Sequence, residues 1–133
     1  MKQQLKSALE AMKLLEEFDP RLAGLLTQGV SDLQSPIILH VNADDPDTVR
    51  HQLEDRGIPT RTVATRMHIP RGPSQSIPGL AFLAGEQEFR IWIFNDASFR
   101  QRVRVGDEVA PSARLKRKVV EQRFSEASKL EEP

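Results

Sequence analysis

The stretch Arg21 to Asp45, RLAGLLTQGVSDLQSPIILHVNADD, decides how the rest of the chain is read. It holds two glycines five residues apart, Gly24 and Gly29, then a polar loop ending in Ser35-Pro36, then the aliphatic, partly β-branched run Ile37 to Asn42. That run reads as a strand, because its residue types suit a pleated, half-buried surface and turn residues bound it. Side chains at i and i+2 of a strand share a face, so Pro36, Ile38 and His40 stand together on one side of the sheet.

The residues just beyond supply a helix. In DDPDTVRHQLEDRGIP, Asp44 to Pro59, Asp45 suits the N-cap and Pro46 the first helical position. Val49 and Leu53 share a face, and Gly57 ends the helix. Asp44, Asp45 and Asp47 resemble an acidic metal cluster, but capping and the positive end of the helix dipole explain them more simply.

Reading outward, Leu5, Ala8, Leu9, Met12 and Leu15 recur at helical spacing, which predicts an N-terminal helix from Lys2 to Phe18, stopped by Asp19-Pro20. Thr60 to Ile69 reads as a strand and PRGPSQ, Pro70 to Gln75, as a loop. Gly79 to Ala84 and Phe89 to Phe94 read as a hairpin around GEQE, and Arg100 to Val105 as a short alternating strand. A final helix is predicted over residues 112–130, capped by Ser112, with Leu115, Val119 and Phe124 on its apolar stripe. The order α-β-α-β-β-β-(β)-α predicts one α/β (α+β) domain over residues 1–133, a small mixed β-sheet packed with helices.

A chain of 133 residues can bury roughly 65–70% of its unfolded surface without covalent staples. The absence of cysteine removes disulfides, thiolate chemistry and cysteine zinc sites, and the three histidines, 40, 51 and 68, have no paired metal-ligand spacing. No run approaches the roughly 20 apolar residues of a membrane helix, and the acidic, amphipathic N-terminus is unlike a leader peptide, so the expected location is cytoplasmic with no membrane partner. Residues 1–60 carry ten acids and six bases, residues 61–133 nine acids and thirteen bases, a polarity too mild to name a partner.

A glycine-bearing turn leading into a strand with paired i, i+2 positions is the layout of a nucleotide-transfer site, in which two strand aspartates hold Mg²⁺ and the turn backbone approaches phosphate. On Leu22, Gly24, Gly29, Ser35, Ile37, Leu39 and Val41, this stretch resembles the nucleotidyltransferase superfamily of DNA polymerase β type, in particular its small bacterial members. The resemblance implies that fold, a site near Gly24, Gly29, Ser35, His40 and Arg90, and a nucleotide or other phosphorylated ligand. Leu25 replaces the phosphate-contacting serine, and Pro36 and Ile38 replace the metal-binding aspartates. On the strand expected to carry the third acid, EFRIWIF, Arg90 brings a cation. Without carboxylate oxygens a hard Mg²⁺ ion has no first shell. The reading is a degenerate, non-catalytic binding or regulatory module with no catalytic residues, metal or cofactor, and a protein partner if its role is regulatory.

Two other readings stand beside it. In the enzymatic one, Asp44, Asp45 and Glu88 carry Mg²⁺ and transfer a nucleotidyl group. In the other, Arg100, Arg102 and Arg104 on one strand face, with Arg114, Lys116, Arg117 and Lys118, contact nucleic acid or protein. Nucleic acid is disfavoured because Phe99 alone would supply stacking. His40 itself reads as a partly buried histidine at a strand end, and the sole tryptophan, Trp92, as a core residue packed under a helix.

Overall fold

The computed structural model describes residues 1–32 and 34–131. Helix α1 (Lys2–Leu14) leads through a 3₁₀ turn (Glu16–Phe18) to β1 (Arg21–Ala23), a second 3₁₀ turn (Leu25–Gln28), β2 (Ile37–Asn42) and α2 (Pro46–Glu54). Strands β3 (Arg61–His68), β4 (Gln75–Ala84) and β5 (Gln87–Phe94) follow, then the single-turn α3 (Asp96–Phe99), β6 (Arg104–Val105) and α4 (Arg117–Glu131). The strands form one six-stranded mixed sheet in the order β1-β2-β5-β4-β3-β6. Only β2 and β5 are parallel, with Ile38 beside Arg90 and His40 beside Trp92.

The strand period divides the core in two. Ile37, Leu39 and Val41 of β2 join Phe89, Ile91 and Ile93 of β5 beneath α1, α2 and α4, whose Leu5, Met12, Val49, Leu53 and Val120 close that layer. On the other face Trp92 and Phe94 pack with Met67, Ile77, Phe99, Val103 and Val105. Trp92 therefore lies on the face away from the three longer helices rather than under one of them. It fits because Gly79, its partner on β4, has no side chain, and a Cβ there would stand 2.4 Å from Trp92 Cε3.

Local chemistry explains most boundaries. Asp45 accepts the Asp47 backbone N–H at 2.9 Å and Pro46 occupies the first turn of α2. Gly57, at φ +77°, ends that segment, and Gly85, at φ +64°, turns β4 into β5. Asn95 caps α3 by accepting the Ser98 N–H, which brings Phe99 into the second core.

Four expectations need correction. The N-terminal helix stops at Leu14 and gives way to the 3₁₀ turn, after which Asp19 adopts a left-handed conformation (φ 50°). The last helix starts at Arg117, not at residue 112; Ser112 donates to Glu108 Oε2 instead of capping, and Leu115 pairs with Leu22 through two 2.8 Å backbone bonds. Val120, one residue along from the predicted Val119, is the buried position of that helix. Arg100 to Val105 is not a continuous strand, because Arg100 is the C-cap of α3 and only Arg104 and Val105 pair with β3.

Candidate functional site

A cavity of about 380 Å³ opens on the sheet face away from the long helices, over the junction of β2 and β5. Its floor is Ile38, Trp92 and Pro36. Gly24 and Leu25 bound it from the β1 corner, and the segment from Val105 to Glu108, with Ser112, bounds it opposite. Gly24, Ser35, His40 and Arg90 all line it. Gly29, the fifth residue expected there, is not in the lining; at φ +77° it ends the 3₁₀ turn, with nothing within 4 Å of where its Cβ would be.

Gly24 has a stronger structural reason to be glycine. Its φ of +76° is a region L side chains rarely enter, and a Cβ would approach Ile38 Cγ1 to 3.0 Å. Thr27 secures the corner by donating its hydroxyl to the Gly24 carbonyl at 2.7 Å. The backbone of the first glycine is thereby laid against the second strand position of the motif.

Ser35 is committed to its own loop. Its hydroxyl donates to Asp32 Oδ2 at 2.9 Å, and its carbonyl accepts from Gln87 Nε2 at 3.3 Å. Arg90 gives Nε to Glu88 Oε2 at 2.8 Å, leaving its two terminal nitrogens without a partner among the described residues.

His40 is 3% exposed, with its ring 4.8 Å from that of Phe94. Its Nδ1 accepts from Arg114 Nε at 2.8 Å, so the neutral ring carries its proton on Nε2. Burial, and secondarily the Arg114 charge, push its pKa down to about 3. It is therefore a fixed hydrogen-bond donor at neutral pH, and not a proton shuttle.

Arg114 is the residue that sequence reasoning placed in a basic patch and the structure places behind the site. Its guanidinium lies 4.7 Å from the Phe94 ring centroid and 5.1 Å from that of Phe99. Its Nη1 donates to the carbonyls of Phe99 and Gln101. Burial, then the nearby Arg21 cation, lower its pKa, partly offset by Glu108. No sequence signal pointed to this role, since 74 residues separate it from His40.

Glu108 organises the opposite wall. It accepts the Val105 N–H at 2.7 Å and the Ser112 hydroxyl, while its own carbonyl accepts from Arg104 at 2.8 Å.

The acids of the enzymatic reading, Asp44, Asp45 and Glu88, are not brought together. Asp44 and Asp45 follow the C-terminal end of β2, whereas Glu88 lies at the N-terminal end of the parallel β5. At about 3.3 Å per strand residue they are more than about 20 Å apart. Among the described residues no three histidine, aspartate or glutamate side chains converge as a metal site. The basic face is also dispersed: Arg100 pairs with Asp96, Arg117 with Glu16 and Glu121, and Arg114 faces inward. No helix among the described residues is long and apolar enough to cross a membrane. No family model, curated protein or solved structure matches the chain.

Proposed function

We propose that this chain is a non-catalytic binding or regulatory module on a scaffold similar to that of the nucleotidyltransferases, holding a small ligand in the cavity over β2 and β5. One observation carries the reading. Gly24, Ser35, His40 and Arg90, drawn from three strands and their loops, line a single cavity whose Pro36 and Ile38 are apolar where metal-binding acids would stand. Such a cavity retains the concave shape and the few convergent polar groups of a ligand site. Its β2 positions Pro36 and Ile38 supply no paired carboxylates for metal-dependent group transfer.

The resemblance suggests a nucleotide or another phosphorylated ligand, and the free terminal nitrogens of Arg90 and the Nε2–H of His40 are suitable donors. Calorimetric titration with ATP, GTP and CTP tests this version. The expected result is saturable heat with at least one nucleotide, unchanged when Mg²⁺ is omitted. No heat with any of the three would remove nucleotides as the ligand.

A further inference from the structure

We propose that the cavity orients its ligand head first, with an anionic oxygen head group, a carboxylate or a phosphate monoester, on the Nε2–H of His40, in the field of Arg114, and an apolar body over Ile38 and Trp92. The inference rests on the cavity being a ligand site, and adds the chemical class and direction of the ligand.

Two unsatisfied groups point the same way. His40 is buried and lines the cavity, its Nδ1 is taken by Arg114, and its Nε2–H has no acceptor among the described residues. That nitrogen is not among the fully buried atoms that lack a partner, so it reaches the cavity's solvent and is open to a ligand acceptor. Behind it, no carboxylate of the described residues lies within ion-pair distance of Arg114. The guanidinium instead has aromatic faces, neutral carbonyls and the imidazole, and its Nη2 is buried with no hydrogen-bond partner among the described residues. Glu108 offsets the charge only from beyond ion-pair distance, and a partly buried cation with no contact counter-ion favours an anion nearby. An oxygen accepting from His40 Nε2 brings that charge through the ring to which Arg114 is already bonded.

The rest of the lining sets the ligand's other end. Leu25, Pro36, Ile38 and Trp92 offer apolar surface, while Arg90 adds a cation and Asp107 and Glu108 add acids to the remaining wall. An anionic head with an apolar body fits this polarity.

Trp92 is the only tryptophan and lines the cavity, so its emission reports occupancy directly. Titrations of the full chain with phenylacetate, phenyl phosphate and neutral phenylacetamide are compared. A saturable change with either anion, at about tenfold lower concentration than with the amide, supports the inference, and the anion that binds identifies the head group. Arg114→Gln should weaken the anion about tenfold and leave the amide unchanged, Arg114→Lys should restore much of the loss, and His40→Phe should abolish the preference. Should either variant fail to fold, the contrast between anion and amide on the unaltered chain still decides. Equal binding of amide and anions overturns the head-group inference, as does ATP binding unaffected by Arg114→Gln and His40→Phe; both results leave the ligand-site reading standing. No response to ATP or to any of the three probes overturns both.

Discussion

Arg114 and His40, 74 residues apart, are joined by a 2.8 Å hydrogen bond that makes the imidazole an acceptor on one side and a donor on the other. The folded protein holds His40 neutral, with its pKa pushed down from 6.5 to about 3. Below about pH 6.5 the unfolded chain binds a proton that the native state excludes, so stability falls with pH until it nears 3; above 6.5 this contribution vanishes. The slope approaches about 1.4 kcal/mol per pH unit. Urea unfolding at pH 7.5 and 4.5 is expected to narrow the stability gap between the natural chain and His40→Gln by about 2–3 kcal/mol at the lower pH. Parallel profiles would contradict the buried neutral histidine.

Gly79→Ala is expected to be among the most damaging single-methyl additions. The new Cβ would meet Trp92 Cε3 at 2.4 Å and the Ile91 carbonyl oxygen at 2.7 Å, and the backbone atom cannot step aside. A loss of about 3 kcal/mol, with a shift in Trp92 emission, is expected in denaturant titration. An unchanged midpoint would show that β4 and β5 separate easily.

The two glycines of the opening motif should respond differently. Gly29→Ala meets no neighbour and carries only the penalty of its left-handed φ, about 1 kcal/mol. Gly24→Ala adds the approach to Ile38 and should cost more, while changing ligand-induced Trp92 fluorescence that Gly29→Ala leaves alone. Equal effects of the two on the fluorescence response would separate Gly24 from the cavity.

Glu108→Ala removes the acceptor of both the Val105 N–H and the Ser112 hydroxyl. A cost of about 1–3 kcal/mol is expected, with faster amide exchange confined to residues 105–112. Unchanged exchange at Val105 would show that the wall holds without Glu108.

Asp45→Ala deletes the side-chain acceptor at the start of α2 and should cost about 1 kcal/mol, read as a lower urea midpoint at unchanged slope. Asp45→Asn should recover most of it.

What was legible in the sequence was local. The cap, Pro46 and Gly57 announced α2, and the six residues of β2 stood out by residue type, because these signals act within a few positions. β1 was missed because three residues are too few to show a period, and α3 because one turn capped by Asn95 has none. Arg100 to Arg104 alternated like a strand, yet the α3 turn overrides the first of them. Of the residues that line the cavity, Gly24 and Ser35 were singled out through the motif, His40 through the strand face it shares with Pro36 and Ile38, and Arg90 through its expected strand. The Arg114 contact depends on long-range closure of the chain, and the Glu108 wall, though its own bonds are local, is brought to the cavity only by the pairing of β6 with β3.

The parallel pairing of β2 with β5 joins Ile37 to Phe89, positions 52 residues apart, whereas β3, β4 and β5 pair as consecutive neighbours along the chain. Loop-closure entropy favours short-range pairing first, so the β3-β4-β5 meander is expected to form ahead of its junction with β2. His40 and Trp92 meet only across that junction. Pulse-labelled hydrogen exchange during refolding should therefore protect Leu80 and Ile91 before Leu39, and a partly folded or newly synthesised chain would have no competent cavity until its last sheet contact closes.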